Sequence, residues 1–282
     1  MNNHIDGSLR ERLDDRVVAW HVNVEETRET ESSIIAFGAR EDQPVVIKIV
    51  RRPGDEWRSG EVLAAFHGNG TVRVIEQIEG AMLLERLTPG TPLVDMSIAG
   101  RDEEATEILA DVIKKMASVR RAPEWIPSAE RWGRAFADYR TSSDQQIPRT
   151  LIESAEPLYA ELCATQKRTR LLHGDLQHYN VLFDENRGWL SVDPKGVIGE
   201  VEYELGASLR NPGENVLRFF SPATVIRRLE IYESILGIDI ARALRWAYAQ
   251  AVLSLIWGVE DGYTVTDESP SLILARSIEP LL

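Results

Sequence analysis

The sequence predicts an α+β fold with two lobes, a small mixed lobe followed by a larger and mainly helical one. Short β-branched runs surround one helix-like segment between residues 17 and 87. The segment TPGTPL, residues 88–93, then carries two prolines and a glycine, which favour a linker. Helical periodicity dominates the remainder, so we expect residues 1–87 to form one domain and residues 88–282 the other.

The first domain alternates between the two periodicities. Residues 32–39 (SSIIAFGA) and 43–50 (QPVVIKIV) are two predicted strands joined by a tight turn. Residues 55–68 (DEWRSGEVLAAFHG) have one apolar face and end in glycines, which predicts a helix. Residues 71–87 supply two further strand-like runs around a turn. The predicted order is therefore strands, helix, strands.

The second domain is mainly helical, with one interruption. Apolar residues recur at helical spacing in the segments 101–119, 128–140, 147–166, 221–237 and 240–258. Between them, residues 181–193 read VLF, then DENRG, then WLSVD. This pattern predicts a β-hairpin inside the helical domain, with an aspartate at its end.

Composition excludes some classes of function. The chain has 282 residues of which 43% are hydrophobic, enough for a substantial core. Its net charge of −13 argues against binding nucleic acid, because phosphate backbones are held by clustered Lys and Arg. An acidic surface can simply keep a protein in solution, or it can attract a small cationic substrate. Both interpretations remain open.

The sequence also indicates a compartment. Cys163 has no partner for an intramolecular disulfide, and the N-terminus has no basic segment followed by an apolar one. The most apolar stretch, residues 247–259, is shorter than the roughly 20 residues that span a bilayer. We therefore expect a cytoplasmic protein with no membrane partner. The oligomeric state is left open by the sequence, with a monomer favoured.

The segment HGDLQHYN, residues 173–180, carries side chains that suit phosphoryl transfer. That reaction needs a carboxylate to accept the proton of the attacking hydroxyl and oxygen ligands for Mg²⁺. Asp175 and Asn180 have the spacing of a kinase catalytic loop, and the predicted hairpin returns Asp193 beside them. The sequence therefore predicts Asp175 as the catalytic base, with Asn180 and Asp193 as metal ligands.

Two histidines flank this aspartate. His173 is interpreted as a residue that stabilises the loop through a hydrogen bond, and His178 as a packing residue. A zinc site would need more ligands than this segment offers.

These motifs carry a resemblance to a known family. The segments LLHGDLQHYNVLF and WLSVDPKGVIGE resemble the aminoglycoside phosphotransferases, in particular their streptomycin 6-phosphotransferase and hydroxyurea-resistance kinase branch. The likeness extends to GNGTVRVIE and MLLERLTPG, and covers roughly residues 30–210. It implies a protein-kinase-like bilobal fold and ATP and Mg²⁺ as cofactors. It also implies a small cationic aminocyclitol as the partner whose hydroxyl is phosphorylated.

The nucleotide would lie against the first domain. Lys48 sits inside the apolar run VVIKIV, where a charge needs a partner unless the side chain points outward. By resemblance, Lys48 matches the kinase lysine that holds the α- and β-phosphates. Glu61 is the preferred acidic partner, with Glu56 as the competitor. The resemblance also implies that the Glu85 carbonyl and the Leu87 N–H meet the adenine edge.

A regulated protein kinase is not favoured. Gly174 stands where many such kinases have an arginine that binds an activation-loop phosphate, and no Ala-Pro-Glu segment follows Asp193. No glycine loop G-x-G-x-x-G precedes Lys48 either. A kinase of another small metabolite remains an alternative. A silent nucleotide-binding module is disfavoured, because it would not require the base.

Acidic residues follow the motif and suggest the acceptor site. We expect Glu200, Glu202 and Glu204 in GEVEYE, and Glu260 and Asp261 in GVEDG, to face a cationic acceptor. For the last two, a solvated helix end is the preferred interpretation and contact with the acceptor is the alternative.

Overall fold

The computed structural model describes residues 8–119 and 122–282. The elements of its first part are α1 (Leu9–Ala19), β1 (Asn23–Glu29), β2 (Ser33–Arg40), β3 (Gln43–Val50), α2 (Ser59–Phe66), β4 (Val74–Ile78) and β5 (Ala81–Glu85). The five strands form one antiparallel sheet in the order β1-β2-β3-β5-β4. The four strands and the helix predicted for this region are all present.

Helix α1 was not predicted. Its start is a capping box: the Ser8 hydroxyl accepts the Glu11 N–H at 3.2 Å, and the Glu11 carboxylate accepts the Ser8 N–H at 2.5 Å. Leu13 of this helix and the following Trp20 enter the apolar core of the sheet. The S-x-x-E pattern at residues 8–11 is the signal that could have revealed it.

Helix α2 is shorter than predicted. Residues before Ser59 form turns, in which the Trp57 N–H donates to the Gly54 carbonyl at 3.0 Å. The Trp57 carbonyl accepts the Gly80 N–H at 2.8 Å, which ties these turns to the β4–β5 connection. Glu56 therefore lies outside the helix.

The second part is mainly helical with two small sheets. Its elements are β6 (Pro89–Pro92), α3 (Val94–Ile98), α4 (Asp102–Met116), α5 (Ala129–Trp132), α6 (Arg134–Thr141), α7 (Arg149–Ala164), β7 (Arg170–Leu172), a 3₁₀ turn (His178–Asn180), β8 (Val181–Asp184), β9 (Gly188–Ser191), β10 (Val197–Gly199), α8 (Val201–Leu209), α9 (Val216–Phe219), α10 (Pro222–Leu236), α11 (Ile240–Glu260), α12 (Pro270–Ile278) and a 3₁₀ turn (Glu279–Leu281). Strands β6, β8 and β9 form one sheet, and β7 pairs with β10. The predicted helix over 128–140 is divided into α5 and α6 at Gly133.

The predicted hairpin, β8 and β9, connects the two parts. Its strands pair from Val181 opposite Ser191 to Asp184 opposite Gly188. Ser191 exchanges backbone hydrogen bonds with the segment before β4, accepting the Val72 N–H at 2.9 Å and donating to the Gly70 carbonyl at 2.8 Å. The sheet of the first part is thereby fixed to the strand that precedes Asp193. A domain boundary after residue 87 stays a prediction.

Helix α11 lies at the centre of the second part. Most of its residues are buried, as expected for a helix that is apolar on nearly every side. Trp246 packs edge-on against Tyr159 and Tyr203, with ring centroids 5.1 and 4.9 Å apart. Among the described helices, none is both long and apolar enough to cross a membrane.

A buried ion pair joins α4 to α10. The Arg228 guanidinium donates to both oxygens of Asp102, at 2.6 and 3.0 Å, and also to the Asn211 carbonyl at 2.8 Å. Both side chains are almost fully enclosed, with exposed fractions of 1% and 5%. Removing one partner would leave the other charge buried without compensation.

We therefore expect Arg228→Met to lower the free energy of unfolding by about 3–5 kcal/mol. The matched control is Arg245→Met, because Arg245 is 33% exposed and pairs with the exposed Glu161 at 2.6 Å, away from Asp102. This control should lower the free energy by about 1 kcal/mol or less. Urea unfolding measures both, and similar small losses in the two variants would contradict a structural role for the buried pair.

Candidate active site

The loop from His173 to Asp175 is shaped by a buried histidine ring. His173 Nδ1 accepts the Asp175 N–H at 3.3 Å, and its Nε2 donates to the Val192 carbonyl at 2.8 Å. Burial lowers the pKa of His173, in agreement with a neutral ring that accepts on one side and donates on the other. The His173 carbonyl accepts the N–H groups of Lys195 and Gly196. His173 therefore joins the loop to the segment that carries Asp193.

His178 is also fully buried. Burial lowers its pKa to about 3, so the ring is neutral at ordinary pH. This position agrees with the packing role expected from the sequence.

The structure brings the three predicted chemical side chains together. Asn180 Nδ2 lies 2.9 Å from the Asp175 carbonyl and 3.4 Å from Asp175 Oδ2. The Val192 N–H donates to the Asn180 carbonyl at 2.9 Å, so the residue before Asp193 is hydrogen-bonded to Asn180. Asp193 adopts a left-handed backbone with φ of 57°, uncommon outside glycine. Because the Asn180 amide nitrogen faces the loop, its oxygen is directed away from it.

The donor chemistry here suits magnesium. Mg²⁺ prefers oxygen ligands and usually takes only one or two carboxylates from a protein. Asn180 and Asp193 supply one amide oxygen and one carboxylate, and the Asp193 side chain is 34% exposed. No group of three or more His, Cys, Asp or Glu side chains capable of holding a metal occurs among residues 8–119 and 122–282. The residues therefore fit a hydrated magnesium ion better than a dedicated metal cage.

Lys48 is buried between two carboxylates. Its ammonium lies 3.0 Å from Glu56 and 2.8 Å from Asp193, and its side chain is 5% exposed. Burial acts to lower the pKa of Lys48, but the charges of Asp193 and Glu56 outweigh burial and raise it above its ordinary value. Lys48 is thus charged, and it links the sheet to the predicted metal ligand.

The expected pairing of Lys48 with Glu61 was wrong. The Glu61 carboxylate binds the Arg58 guanidinium at 2.5 and 2.7 Å and accepts the Trp125 indole N–H at 2.8 Å. The cause is the late start of α2, which leaves Glu56 in a turn near Lys48 and turns Glu61 toward other partners. Glu56, the competitor named from the sequence, is the observed partner.

A small apolar cluster lies at the end of the sheet. Leu84 is buried in it, and the partly buried Val46, Leu87 and Val192 pack against it. Among the hydrogen bonds of the described residues, none has the Leu87 N–H as donor. The Glu85 side chain binds Arg187 and the Arg73 N–H, so only its backbone could serve a ligand. The roles assigned to the Glu85 carbonyl and the Leu87 N–H stay predictions.

Glu204 binds the backbone of the loop from His173 to Asp175 and is not a substrate ligand. Its carboxylate accepts the His173 N–H at 2.6 Å and the Gly174 N–H at 3.0 Å, and the residue is 2% exposed. Burial raises its pKa to about 7, although these backbone hydrogen bonds act in the opposite direction. Glu204 thus fixes the backbone on which Asp175 stands.

The two other glutamates of GEVEYE were also misplaced by sequence reasoning. Glu200 is buried, pairs with Arg242 and accepts the Trp246 indole N–H at 2.6 Å. Glu202 accepts the Asp239 N–H at 3.3 Å. Alternate residues line one wall in a strand, but they point to different sides of a helix, and α8 begins at Val201.

A cleft of about 660 Å³ opens beside the catalytic loop. Its walls combine tryptophans with charged residues of both signs. The tryptophans are Trp57, Trp125, Trp132 and Trp257; the acidic residues are Asp55, Asp138 and Glu260, and the basic residues are Arg58, Arg131, Arg134 and Lys195. Trp132 abuts the loop itself, because a Cβ added to Gly174 would lie 2.9 Å from the Trp132 ring. Gly174 also has φ of 80°, a left-handed backbone that glycine adopts at little cost. Both the backbone and the nearby Trp132 ring therefore favour a residue without a side chain at this position.

Glu260 lines this cleft, whereas its role toward an acceptor stays a prediction. Burial raises the pKa of Glu260, and the neighbouring carboxylates of Asp138, Asp261 and Asp55 raise it further. Asp261 is exposed at the end of α11 and is not among the residues that line the cleft. Asp55, Asp138 and the tryptophans were missed, because they come from distant segments with no shared motif.

Comparison with known proteins identifies the family. The family model of the aminoglycoside/hydroxyurea antibiotic resistance kinases matches residues 19–262. The chain belongs to this family. It is accordingly a phosphotransferase that acts on hydroxyl groups.

Individual relatives and a solved structure are consistent with the family. The chain is 30% identical over 239 residues to a streptomycin 3''-kinase of Klebsiella pneumoniae, covering 83% of this chain and 86% of that protein. It is 26% identical over 263 residues to a streptomycin 6-kinase of Streptomyces glaucescens, covering 88% and 81%. A thermostable mutant of aminoglycoside phosphotransferase APH(4)-Ia, in complex with ADP and hygromycin B, has a TM-score of 0.66 at 15% identity, covering 98% of each chain. This likeness confirms the predicted protein-kinase-like fold.

The observed partner of Lys48 gives a first prediction for this site. We expect Glu56→Gln to lower kcat about tenfold, equivalent to about 1.4 kcal/mol in activation free energy, because Lys48 loses one of two carboxylates. Glu61→Gln is the matched control and should change kcat little, since its contacts are Arg58 and Trp125. Steady-state kinetics distinguishes them, and a loss confined to Glu61→Gln would reverse the assignment.

The buried carboxylate of Glu204 predicts a pH dependence of stability. Its pKa in the folded protein is about 7, above the ordinary 4.5, so the folded state binds more protons between these values. Stability from this group is therefore complete below about pH 4.5 and is lost as pH rises through 7, by about 3 kcal/mol in total.

Glu204→Gln removes this titration. We expect the difference in unfolding free energy, wild type minus variant, to fall as pH rises from 5 to 8 in urea unfolding. A difference that is constant or rises over this range would show that Glu204 is ionised throughout.

Proposed function

We propose that this phosphotransferase uses ATP and Mg²⁺ to phosphorylate a ring hydroxyl of a small cationic aminocyclitol of the streptomycin type. The observation that carries the proposal is the convergence of Asp175, Asn180, Asp193 and Lys48 beside a tryptophan-lined cleft. The relatives named streptomycin kinases support the choice of acceptor.

The nucleotide is placed against the sheet. The Lys48 ammonium would bind phosphate oxygens, and the partly buried Val46, Leu87 and Val192 would contact the planar adenine ring. Asn180 and Asp193 would hold Mg²⁺, which neutralises charge on the transferred phosphoryl group when bound. The Glu85 carbonyl and the Leu87 N–H would meet the adenine edge.

Asp175 is proposed as the base. A hydroxyl is a weak nucleophile, and a carboxylate within hydrogen-bond reach can orient it and accept its proton during transfer. Asp175 is 28% exposed, so an acceptor can reach it from the solvent side. Glu204 and His173 keep the backbone of Asp175 in place and need not contact the substrate.

The cleft is proposed to bind the acceptor. Guanidinium and ammonium groups are attracted to tryptophan faces and to carboxylates. Trp132 and Trp257 lie with rings 5.4 Å apart, and Asp138 and Glu260 belong to the same cleft. These groups would recognise the cationic substituents and leave a ring hydroxyl directed at the catalytic loop.

The test is a panel of streptomycin-type aminoglycosides and neutral sugars incubated with ATP and Mg²⁺. We expect the aminocyclitols alone to gain the mass of one phosphoryl group. Asp175→Asn should reduce turnover about 10²–10⁴-fold, the usual range for a general base, while ATP binding survives. Added salt should raise the apparent KM, because it screens exposed charges over about 8 Å at physiological ionic strength.

Efficient turnover of a neutral metabolite, with little salt dependence and no aminocyclitol product, would reject this acceptor class. Near-normal turnover by folded Asp175→Asn would reject the base.

A further inference from the structure

One guanidinium lies beside the proposed base. Arg210 Nη2 is 3.6 Å from Asp175 Oδ1, and within the described residues it is the only basic side chain within 4.0 Å of that carboxylate. The Arg210 side chain is 12% exposed, so it is largely removed from solvent. The second oxygen, Asp175 Oδ2, faces the Asn180 amide at 3.4 Å. The carboxylate is therefore held between an amide on one side and a guanidinium on the other.

The position of Arg210 is fixed from behind. Its Nη1 donates to Gln250 Oε1 at 3.5 Å, and Gln250 Nε2 donates to the Tyr203 carbonyl at 2.5 Å. Since the amide nitrogen of Gln250 is engaged, its oxygen is directed at the guanidinium. Gln250 is 5% exposed and packs over Gly206, where a larger residue would collide with it. The guanidinium thus rests on buried groups of α8 and α11.

Helix α8 supports the loop that carries Asp175 at a second point. Arg210 is the C-terminal cap of α8, and Glu204 of α8 binds the His173 and Gly174 N–H groups. One rigid element therefore positions both the backbone of the loop and the carboxylate at its tip. An arginine is suited to this, because it stays charged and offers several donors in a planar fork.

We propose that Arg210 is a positioning residue that orients the Asp175 carboxylate toward the acceptor hydroxyl. The inference rests on the proposed function, in which Asp175 is the base. A purely structural role is the competing explanation, in which Arg210 only joins α8 to α11 through Gln250. The two differ in one respect: a residue that acts through Asp175 has no effect once Asp175 can no longer accept a proton.

A double-mutant cycle separates these explanations. We expect Arg210→Met to lower kcat about 10²-fold, the effect of misplacing a catalytic group by about 1 Å, with an unchanged dissociation constant for ATP. In the Asp175→Asn background, the same change should lower kcat by about twofold or less, since residues that act as a unit are not additive. Arg210→Lys keeps the charge but not the fork, and should lose less activity than Arg210→Met.

The matched control is Arg242→Met. Arg242 is 19% exposed and anchors α11 by binding Glu200, the Leu162 carbonyl at 2.8 Å and the Thr165 hydroxyl at 3.0 Å. It should lower the melting temperature without a selective loss of kcat. Additive losses in the cycle, or an equal loss of kcat in Arg242→Met, would overturn the positioning role. If Arg210→Met does not fold, the cycle is run with Arg210→Lys and the same outcomes apply.

Failure of the proposed function would give a different experimental result from failure of the positioning role. If wild-type protein phosphorylates no streptomycin-type compound, the acceptor class is rejected. The cycle is then read on the hydrolysis of ATP without acceptor, in which water takes the place of the hydroxyl. Non-additive losses there would still support the role of Arg210, and additive losses would still reject it.

Discussion

The geometry of the site depends on a buried ammonium, Lys48, that requires carboxylate partners. A charge enclosed to this degree is costly unless it is paired, and its partners come from different parts of the chain. Glu56 belongs to the turn after β3, whereas Asp193 follows the hairpin β8 and β9. Satisfying Lys48 therefore fixes the sheet relative to the hairpin. Asp193, in turn, is connected to the catalytic loop through the carbonyl of His173, which accepts the N–H groups of residues 195 and 196.

The buried carboxylate of Glu204 supports the loop from His173 to Asp175, but among the described residues it has no cationic partner of the kind that Glu200 has. Glu200 on the same helix is also buried, but it has Arg242 and the Trp246 indole as partners. Glu204 instead receives backbone N–H groups and lies near the negative Asp175. Hydrogen bonds to a charged group contribute about 1.5–3 kcal/mol each, which offsets burial in part. The remaining imbalance explains a pKa near neutrality, and it makes the support of the loop sensitive to pH.

The sequence predicted correctly those features of the site that depend on residues close together in the chain. The spacing of Asp175, Asn180 and Asp193 depends on one loop and one hairpin, and the structure places all three together. The pairing of Lys48 could not be predicted, because the choice between Glu56 and Glu61 depends on where α2 begins. Turns tied to Gly80 delay that start.

The expectation that the glutamates of GEVEYE face the acceptor was wrong for a related reason. Its alternation resembles a strand face, yet the residues fold as α8 and point in different directions. Arg210 had no signal at all: it lies 35 positions after Asp175, and only the path of α8 and the buried Gln250 bring it to the carboxylate. The tryptophans of the cleft are separated in the same way. Long-range packing therefore decides the cleft and the partner of Lys48, whereas motif spacing decides the loop and the hairpin that carry Asp175, Asn180 and Asp193.

The electrostatics of the cleft link the acidic composition to the choice of acceptor. A net charge of −13 acts on every cation equally, so by itself it selects none. At Glu260, however, burial raises the pKa, and Asp138 and Asp55 of the cleft together with the adjacent Asp261 raise it further, because like charges oppose its ionisation. Basic side chains of the same walls, Arg58, Arg131, Arg134 and Lys195, partly relieve this, and the Lys195 ammonium lies 5.8 Å from the centre of the Trp257 ring. A cationic acceptor would relieve it further and would compete with Lys195 for the same aromatic face. For the proposed cationic acceptor, recognition would therefore come from the acidic and aromatic part of the cleft, around Asp138, Glu260 and Trp257, and not from the net charge of its walls.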